Sequence, residues 1–189
     1  MARGAARTPQ SDRETPMTIG PNMWKNILVP HDFSPCAVKA LRVAVDLARV
    51  HRAAITILHV SDLPENVTAD TVVSPPGEPR ALPVAEYTTR GARTRLEEVA
   101  EPLRRQGLSV LTKAVTGDIA KEILLAAQTD TDVLVVGTHG RTGLSHLLLG
   151  SVAERVVRGA SVPVVTVRSL SPEAEPTNEE RDAEDELAG

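Results

Sequence analysis

The sequence predicts an α/β fold: an open, parallel five-stranded sheet with helices on both faces. Three observations support it. β-Branched runs alternate with amphipathic stretches in the order β-α-β-α-β-α-β-α-β, which calls for parallel strands joined by right-handed crossovers. Val133-Leu134-Val135-Val136 is apolar throughout, as expected of a central strand covered on both faces. The 189-residue length holds one domain of ordinary size with room for tails.

The elements follow in order. Residues 1–22, rich in Ala, Arg, Pro, Ser and Thr without periodicity, read as a disordered extension, with Met17 and Met23 as alternative starts to Met1. Ile27-Leu28-Val29, ended by Pro30, suits a buried strand. Ser34-Pro35 is an N-cap followed by proline at the first helical position, and Ala37, Ala40, Leu41, Ala44, Val45 and Ala48 then recur at helical spacing. Ile55 to Val60 gives the second strand, followed by a long loop with Pro64, Pro75, Pro76, Gly77 and Pro79. A second helix spans about Val84 to Arg105, although Gly91 and Pro102 weaken its interior. Leu108 to Val115 reads as the third strand, and Asp118 opens a helix bearing Ile119, Ile123, Ala126 and Ala127. The last helix begins near Ser151, and Val162 to Val167 forms the final strand, with Pro163 at a tolerated starting position. From Ser169 the chain turns acidic and reads as a disordered tail, which leaves residues 23–168 as the domain.

Composition narrows the function. A net charge of −4 and a pI near 5.8 argue against a general nucleic-acid binder, which needs cations to neutralise phosphates. Aromatic residues make up 2% of the chain, so base-stacking platforms are missing. One cysteine, Cys36, supports neither an internal disulfide nor a cysteine zinc site and fits a reducing cytoplasm. No apolar run approaches a membrane span, and no leader follows the early arginines. His31, His51 and His59 are too scattered to suggest a metal site.

The informative segment leaves the fourth strand: Gly137-Thr138-His139-Gly140-Arg141-Thr142-Gly143, then Leu144 to Leu149, then Gly150-Ser151-Val152. In an open α/β sheet, ligands sit beyond the carboxyl ends of the strands where strand order reverses. Gly137 and Gly140 allow close backbone approach and positive φ, presenting N–H groups as an anion nest. Gly150-Ser151 places further N–H groups at a helix N-terminus, where the dipole favours phosphate. Ser151-Val152-Ala153-Glu154 is also a capping box, and one hydroxyl can serve both purposes.

With this Gly-x2-Gly-x9-Gly-Ser spacing the sequence resembles the ATP-binding branch of the universal stress protein family. Lys25-Asn26-Ile27-Leu28-Val29-Pro30-His31-Asp32-Phe33-Ser34 resembles its opening strand and turn, Ile57-Leu58-His59-Val60 its second strand, and Ser161 to Val165 its closing one. The likeness covers roughly Trp24 to Arg168. It implies a Rossmann-like fold of the adenine nucleotide α-hydrolase type, strand order 3-2-1-4-5, and homodimerisation through the last strand. It also implies that Pro30, Asp32 and Val60 hold adenine and ribose, while Gly137, Gly140, Gly150, Ser151 and Val152 cradle the phosphates. His31 departs from the family's small or β-branched residue, so its ring is expected to crowd or hydrogen-bond the base.

Other residues have competing roles. Asp32 is either a ligand contact or a structural acid before the first helix. Arg141 is either a phosphate clamp or an exposed loop residue, and His139 a positioning residue, since no partners complete a triad with it. Cys36 reads as a buried thiol. The expected function is ATP binding, with Mg2+ on the phosphates, by a nucleotide-sensing stress-response dimer with little or no hydrolysis, because no base or charge clamp is evident. The alternatives are a nucleotide-independent dimeric interaction module and an adenylate-forming enzyme, whose paired-histidine or Ser-Gly-Gly signatures are missing.

Overall fold

The computed structural model describes residues 23–63, 66–77, 80–138 and 149–168. The segments read as disordered, 1–22 and 169–189, lie outside the described residues, as do His139, Gly140 and Arg141. The elements are β1 (Asn26–Pro30), α1 (Pro35–His51), β2 (Ala54–Ser61), β3 (Val72–Val73), β4 (Leu82–Pro83), α2 (Val84–Arg105), β5 (Val110–Thr116), α3 (Ile119–Ala127), β6 (Val133–Gly137), α4 (Ser151–Gly159) and β7 (Val164–Val167).

The five main strands pair in parallel in the order β5-β2-β1-β6-β7. With the two short strands set aside this is 3-2-1-4-5. Those short strands pair antiparallel as a ribbon within the segment that reads in sequence as plain loop. Two residues per strand carry too little periodicity to be seen without the partner. The final strand is shorter than expected, since pairing begins at Val164. Pro163 has no N–H to offer, yet its carbonyl accepts from the Leu134 N–H at 3.0 Å.

Alternation along each strand divides the core. Ile27, Val29, Ile55, Ile57, Val133 and Val135 face α1 and α2, where they meet Leu41, Ala44, Leu96 and Ala100. Leu28, Leu58, Val60 and Leu134 face α3 and α4, against Ala120, Ile123 and Val156. Small alanines line α1, so the helix lies close to the sheet. At the amino end of the strands Asp132 accepts from the main-chain N–H groups of Lys25 (2.7 Å) and Asn26 (2.9 Å), tying the entry of β1 to that of β6.

Helix α1 starts as its sequence predicts, with Ser34 Oγ accepting from the Ala37 N–H at 3.2 Å. Helix α2 runs through Gly91 unbroken and reaches its end three residues past Pro102, at Arg105. A side chain at Gly91 would meet open space, so no packing contact demands the glycine.

Candidate functional site

Strand order reverses between β1 and β6, because the chain moves from β1 to β2 on one side and later returns to lay β6 on the other. At the carboxyl ends of these strands lies a cleft of about 320 Å³, within the size range of small-molecule sites. Pro30, His31 and Asp32 reach it from the end of β1 and the turn after it, Leu58 and Val60 from β2, Gly137 and Thr138 from the end of β6, and Gly150, Ser151 and Val152 from the start of α4. Of the residues singled out in sequence, the structure therefore brings together those from both ends of the glycine segment and from both strand ends. Ile119 and Ile123 of α3 and Ala37 of α1 also line the cleft. Sequence reasoning missed them, because apolar residues at helical spacing read as core, and only the crossover shows that α3 ends its packing at an open mouth. Thr138 was missed as well.

Thr138 is the pivot of the site. Its N–H donates to the Val167 carbonyl at 2.9 Å, and its own carbonyl accepts from the Gly150 N–H at 2.7 Å. The two ends of the segment 139–149 are thereby held side by side at the cleft.

The start of α4 differs from the capping-box reading. Gly150 is the N-cap, extended at φ −71° and ψ 155°, and its carbonyl accepts from the Glu154 N–H at 2.9 Å. Ser151 is the first helical residue, exposed, and no side chain caps the helix. Gly150 is extended, with its N–H bonded to the Thr138 carbonyl, and takes the N-cap place, so the helix begins one residue earlier than that reading has it. The Ser151 hydroxyl is thus not spent on capping, and the α4 N-terminus faces the cleft with unpaired N–H groups.

Gly137 also differs. Its φ is not among the positive values, so it is a regular strand end. What requires glycine there is α1: a Cβ would fall 2.9 Å from Cys36 Sγ and 3.2 Å from the Cys36 carbonyl carbon and oxygen. Cys36 is buried, and its thiol donates to the Val167 carbonyl at 3.4 Å.

In the turn after β1, Asp32 Oδ1 accepts from the Ser34 N–H at 3.0 Å. The acid is part of this turn and also lines the cleft. His31 lines the cleft between Pro30 and Asp32. Its ring is buried and meets Phe33 edge-on, 5.2 Å between centroids.

An exposed charge pair links α3 and α4. Asp118 caps α3 by accepting from the Lys121 N–H at 2.8 Å and pairs with both terminal nitrogens of Arg155 on α4 at 3.0–3.2 Å. The Arg155 bonds, then the Lys121 N–H, hold the Asp118 carboxyl below the usual carboxylate range. No cluster of His, Cys, Asp or Glu suited to a metal ion occurs among the described residues. No helix among them is long and apolar enough to cross a membrane.

A parallel sheet wound in both directions from β1, with a cleft at the reversal and a helix N-terminus opening on it, defines a Rossmann-like α/β protein. The family profile described as Universal stress protein family matches residues 23–168. The chain belongs to the universal stress protein family. It is 31% identical over 150 residues to Universal stress protein MJ0531 of Methanocaldococcus jannaschii, covering 79% of this chain and 85% of that one. It is 30% identical over 155 residues to Universal stress protein MJ0577 of the same organism, covering 77% and 96%. The solved structure of MJ0577 superposes with a TM-score of 0.62 at 26% identity, covering 79% of this chain and 99% of that one. A universal stress protein solved in complex with cAMP shares the fold at a TM-score of 0.56 and 21% identity, over 77% and 97% of the two chains.

Proposed function

We propose that the cleft binds an adenine nucleotide, ATP with Mg2+ on its phosphates, and that the protein is a cytoplasmic, nucleotide-sensing stress-response dimer with little or no intrinsic hydrolysis. The observation that carries this reading is the exposed Ser151 hydroxyl, unused in capping, at a helix N-terminus that opens on the cleft. Helix N-termini attract phosphate through unpaired N–H groups and the dipole. The cleft is also lined by the apolar Leu58, Val60, Ile119 and Ile123, which suit the faces of a base. In this reading Pro30, Asp32 and Val60 hold the adenosine and Gly137, Gly150, Ser151 and Val152 the phosphates, with Gly140, His139 and Arg141, which lie outside the described residues, as further contacts expected from the sequence. The cAMP complex of a relative with this fold supports the ligand class.

Thermal unfolding with and without nucleotide tests the reading. With micromolar affinity, millimolar ATP stabilises the fold by about 4 kcal/mol, a rise in Tm of roughly 8–16 °C for a domain of this size. No rise with ATP, ADP or AMP, with or without Mg2+, refutes it. Phosphate release measured alongside tests the absence of turnover.

The dimer is proposed through β7, an edge strand carrying the apolar Val164, Val165 and Val167. Edges of this kind pair or are covered. Light scattering is expected to give a dimer for the wild type and a monomer for Val165→Lys. A Val165→Lys dimer removes this interface.

A further inference from the structure

His31 stands between two cleft residues, Pro30 and Asp32, and its hydrogen bonds fix where its protons lie. The Phe33 N–H donates to His31 Nδ1 at 3.2 Å, so this nitrogen presents a lone pair. The neutral ring therefore carries its hydrogen on Nε2, which is buried with no hydrogen-bond partner among the described residues. His59 Nδ1 lies 2.8 Å from the His31 carbonyl oxygen, which can only accept, so His59 bears its hydrogen there. The His31 N–H donates in turn to the Leu58 carbonyl at 2.8 Å. The main chain of His31 is thus anchored to β2 on both sides, and its ring is anchored to the turn.

A second proton has one place to go, Nδ1, where it meets the Phe33 N–H. The groups facing the ring are Asp32 in the turn, His59 on β2 and Arg95 on α2, whose guanidinium carbon stands 3.8 Å over the Phe33 ring. Only Asp32 favours a cation. Burial first, then His59 and Arg95, hold the ring's pKa below the ordinary histidine value, despite Asp32.

The bond that protonation breaks has a structural task. Phe33 sits at φ +66°, in the left-handed region that side chains rarely adopt. It is the middle of the turn in which Asp32 accepts from the Ser34 N–H and Ser34 caps α1. Without the Nδ1 acceptor, Phe33 loses the bond that holds it in this conformation, and Asp32 loses its fixed place at the cleft.

We propose that His31 is a proton-sensitive positioning residue: protonation of its ring releases the Phe33 N–H, loosens the turn that presents Asp32, and so weakens nucleotide binding. This rests on the adenine-nucleotide reading of the cleft. Linkage is reciprocal, so bound nucleotide must also oppose protonation of His31.

The test uses the full chain. ATP affinity is measured by calorimetry from pH 7.5 to 5.0 for wild type, His31→Asn and His31→Val, and the His31 ring is titrated by NMR with and without saturating ATP. Asparagine places an oxygen near the Nδ1 position and accepts from Phe33 without titrating; valine abolishes the titration altogether. The terminal phosphate of ATP itself titrates near pH ~6, so each protein is compared with itself across pH and the ratios are then compared. The wild type is expected to lose at least about threefold more affinity by pH 5.0 than either variant, and ATP to lower the His31 titration midpoint by about half a pH unit. Equal pH dependence in wild type and variants overturns the proposal, as does a midpoint unmoved by ATP, a result that needs no variant to fold. ATP binding at pH 7.5 with no His31 effect leaves the cleft reading standing and removes only this proposal. No ATP binding at pH 7.5 removes both.

Discussion

Replacing Gly137 by alanine asks why a glycine ends β6. The new methyl would lie 2.9 Å from Cys36 Sγ and 3.2 Å from the Cys36 carbonyl carbon and oxygen, inside the ~3.5–4.0 Å at which such atoms attract. Either the thiol turns away, breaking its 3.4 Å bond to the Val167 carbonyl, or the first turn of α1 backs off the sheet. Overpacking of this kind costs about 1–3 kcal/mol. Against it, alanine restricts the unfolded chain and returns about 0.4–1 kcal/mol where the backbone is ordinary, as it is at Gly137. The steric term wins, and Gly137→Ala is expected to be less stable by about 1–2 kcal/mol. Cys36→Ala removes the nearest atom but not the Cys36 main chain, so the double variant recovers part of the loss. Urea unfolding of the four proteins gives the coupling, expected at about 0.5–1.5 kcal/mol. A Gly137→Ala protein as stable as wild type, or effects that add within ~0.5 kcal/mol, would refute the steric account and return the glycine to the ligand alone.

Four further outcomes are expected. Ser151→Ala leaves urea stability within ~0.5 kcal/mol, since no cap is lost, while ATP affinity in calorimetry drops about tenfold or more through a missing bond to a charged phosphate; a stability loss near 1 kcal/mol would restore the capping box. Asp132→Ala strips the acceptor from the Lys25 and Asn26 N–H groups and lowers unfolding free energy by about 1–3 kcal/mol. Asp118→Ala removes both a cap and an ion-pair partner, and costs about 1 kcal/mol, whereas Arg155→Ala, on an exposed pair, costs well under ~1 kcal/mol; the reverse ranking in thermal unfolding counts against the cap. Because the folded His31 pKa lies below its unfolded value of 6.5, the unfolded chain takes up the proton first on acidification. The stability due to neutral His31 is therefore complete above pH 6.5 and is lost as pH falls toward the folded value; urea midpoints of wild type should decline over this window more steeply than those of His31→Val.

Strand and helix order was legible because each element carries its own period, and the all-apolar Val133 to Val136 marks the sheet centre without help from the rest of the chain. Boundaries set by a partner were not legible. The last strand starts at Val164 because its pairing with Leu134 starts there, and the ribbon of Val72–Val73 with Leu82–Pro83 exists only as a pair. The same holds at the site. Gly150 and Ser151 meet Gly137 as the glycine spacing implies, and Pro30, Asp32 and Val60 join them as the family resemblance implies, yet the reasons at Gly137 and Ser151 lie in contacts with Cys36 and Thr138 that no local pattern contains. The burial of the His31 ring against Phe33 depends on a turn whose left-handed Phe33 no local pattern announces.

The paired bonds of Thr138 separate two jobs along the chain. Its N–H sets the register of β7 and its carbonyl sets where α4 begins, so the scaffold on either side of the segment 139–149 is fixed by groups outside that segment. The frame of the cleft is thus written in main-chain groups at position 138, which every residue but proline supplies in full, and not in a side chain.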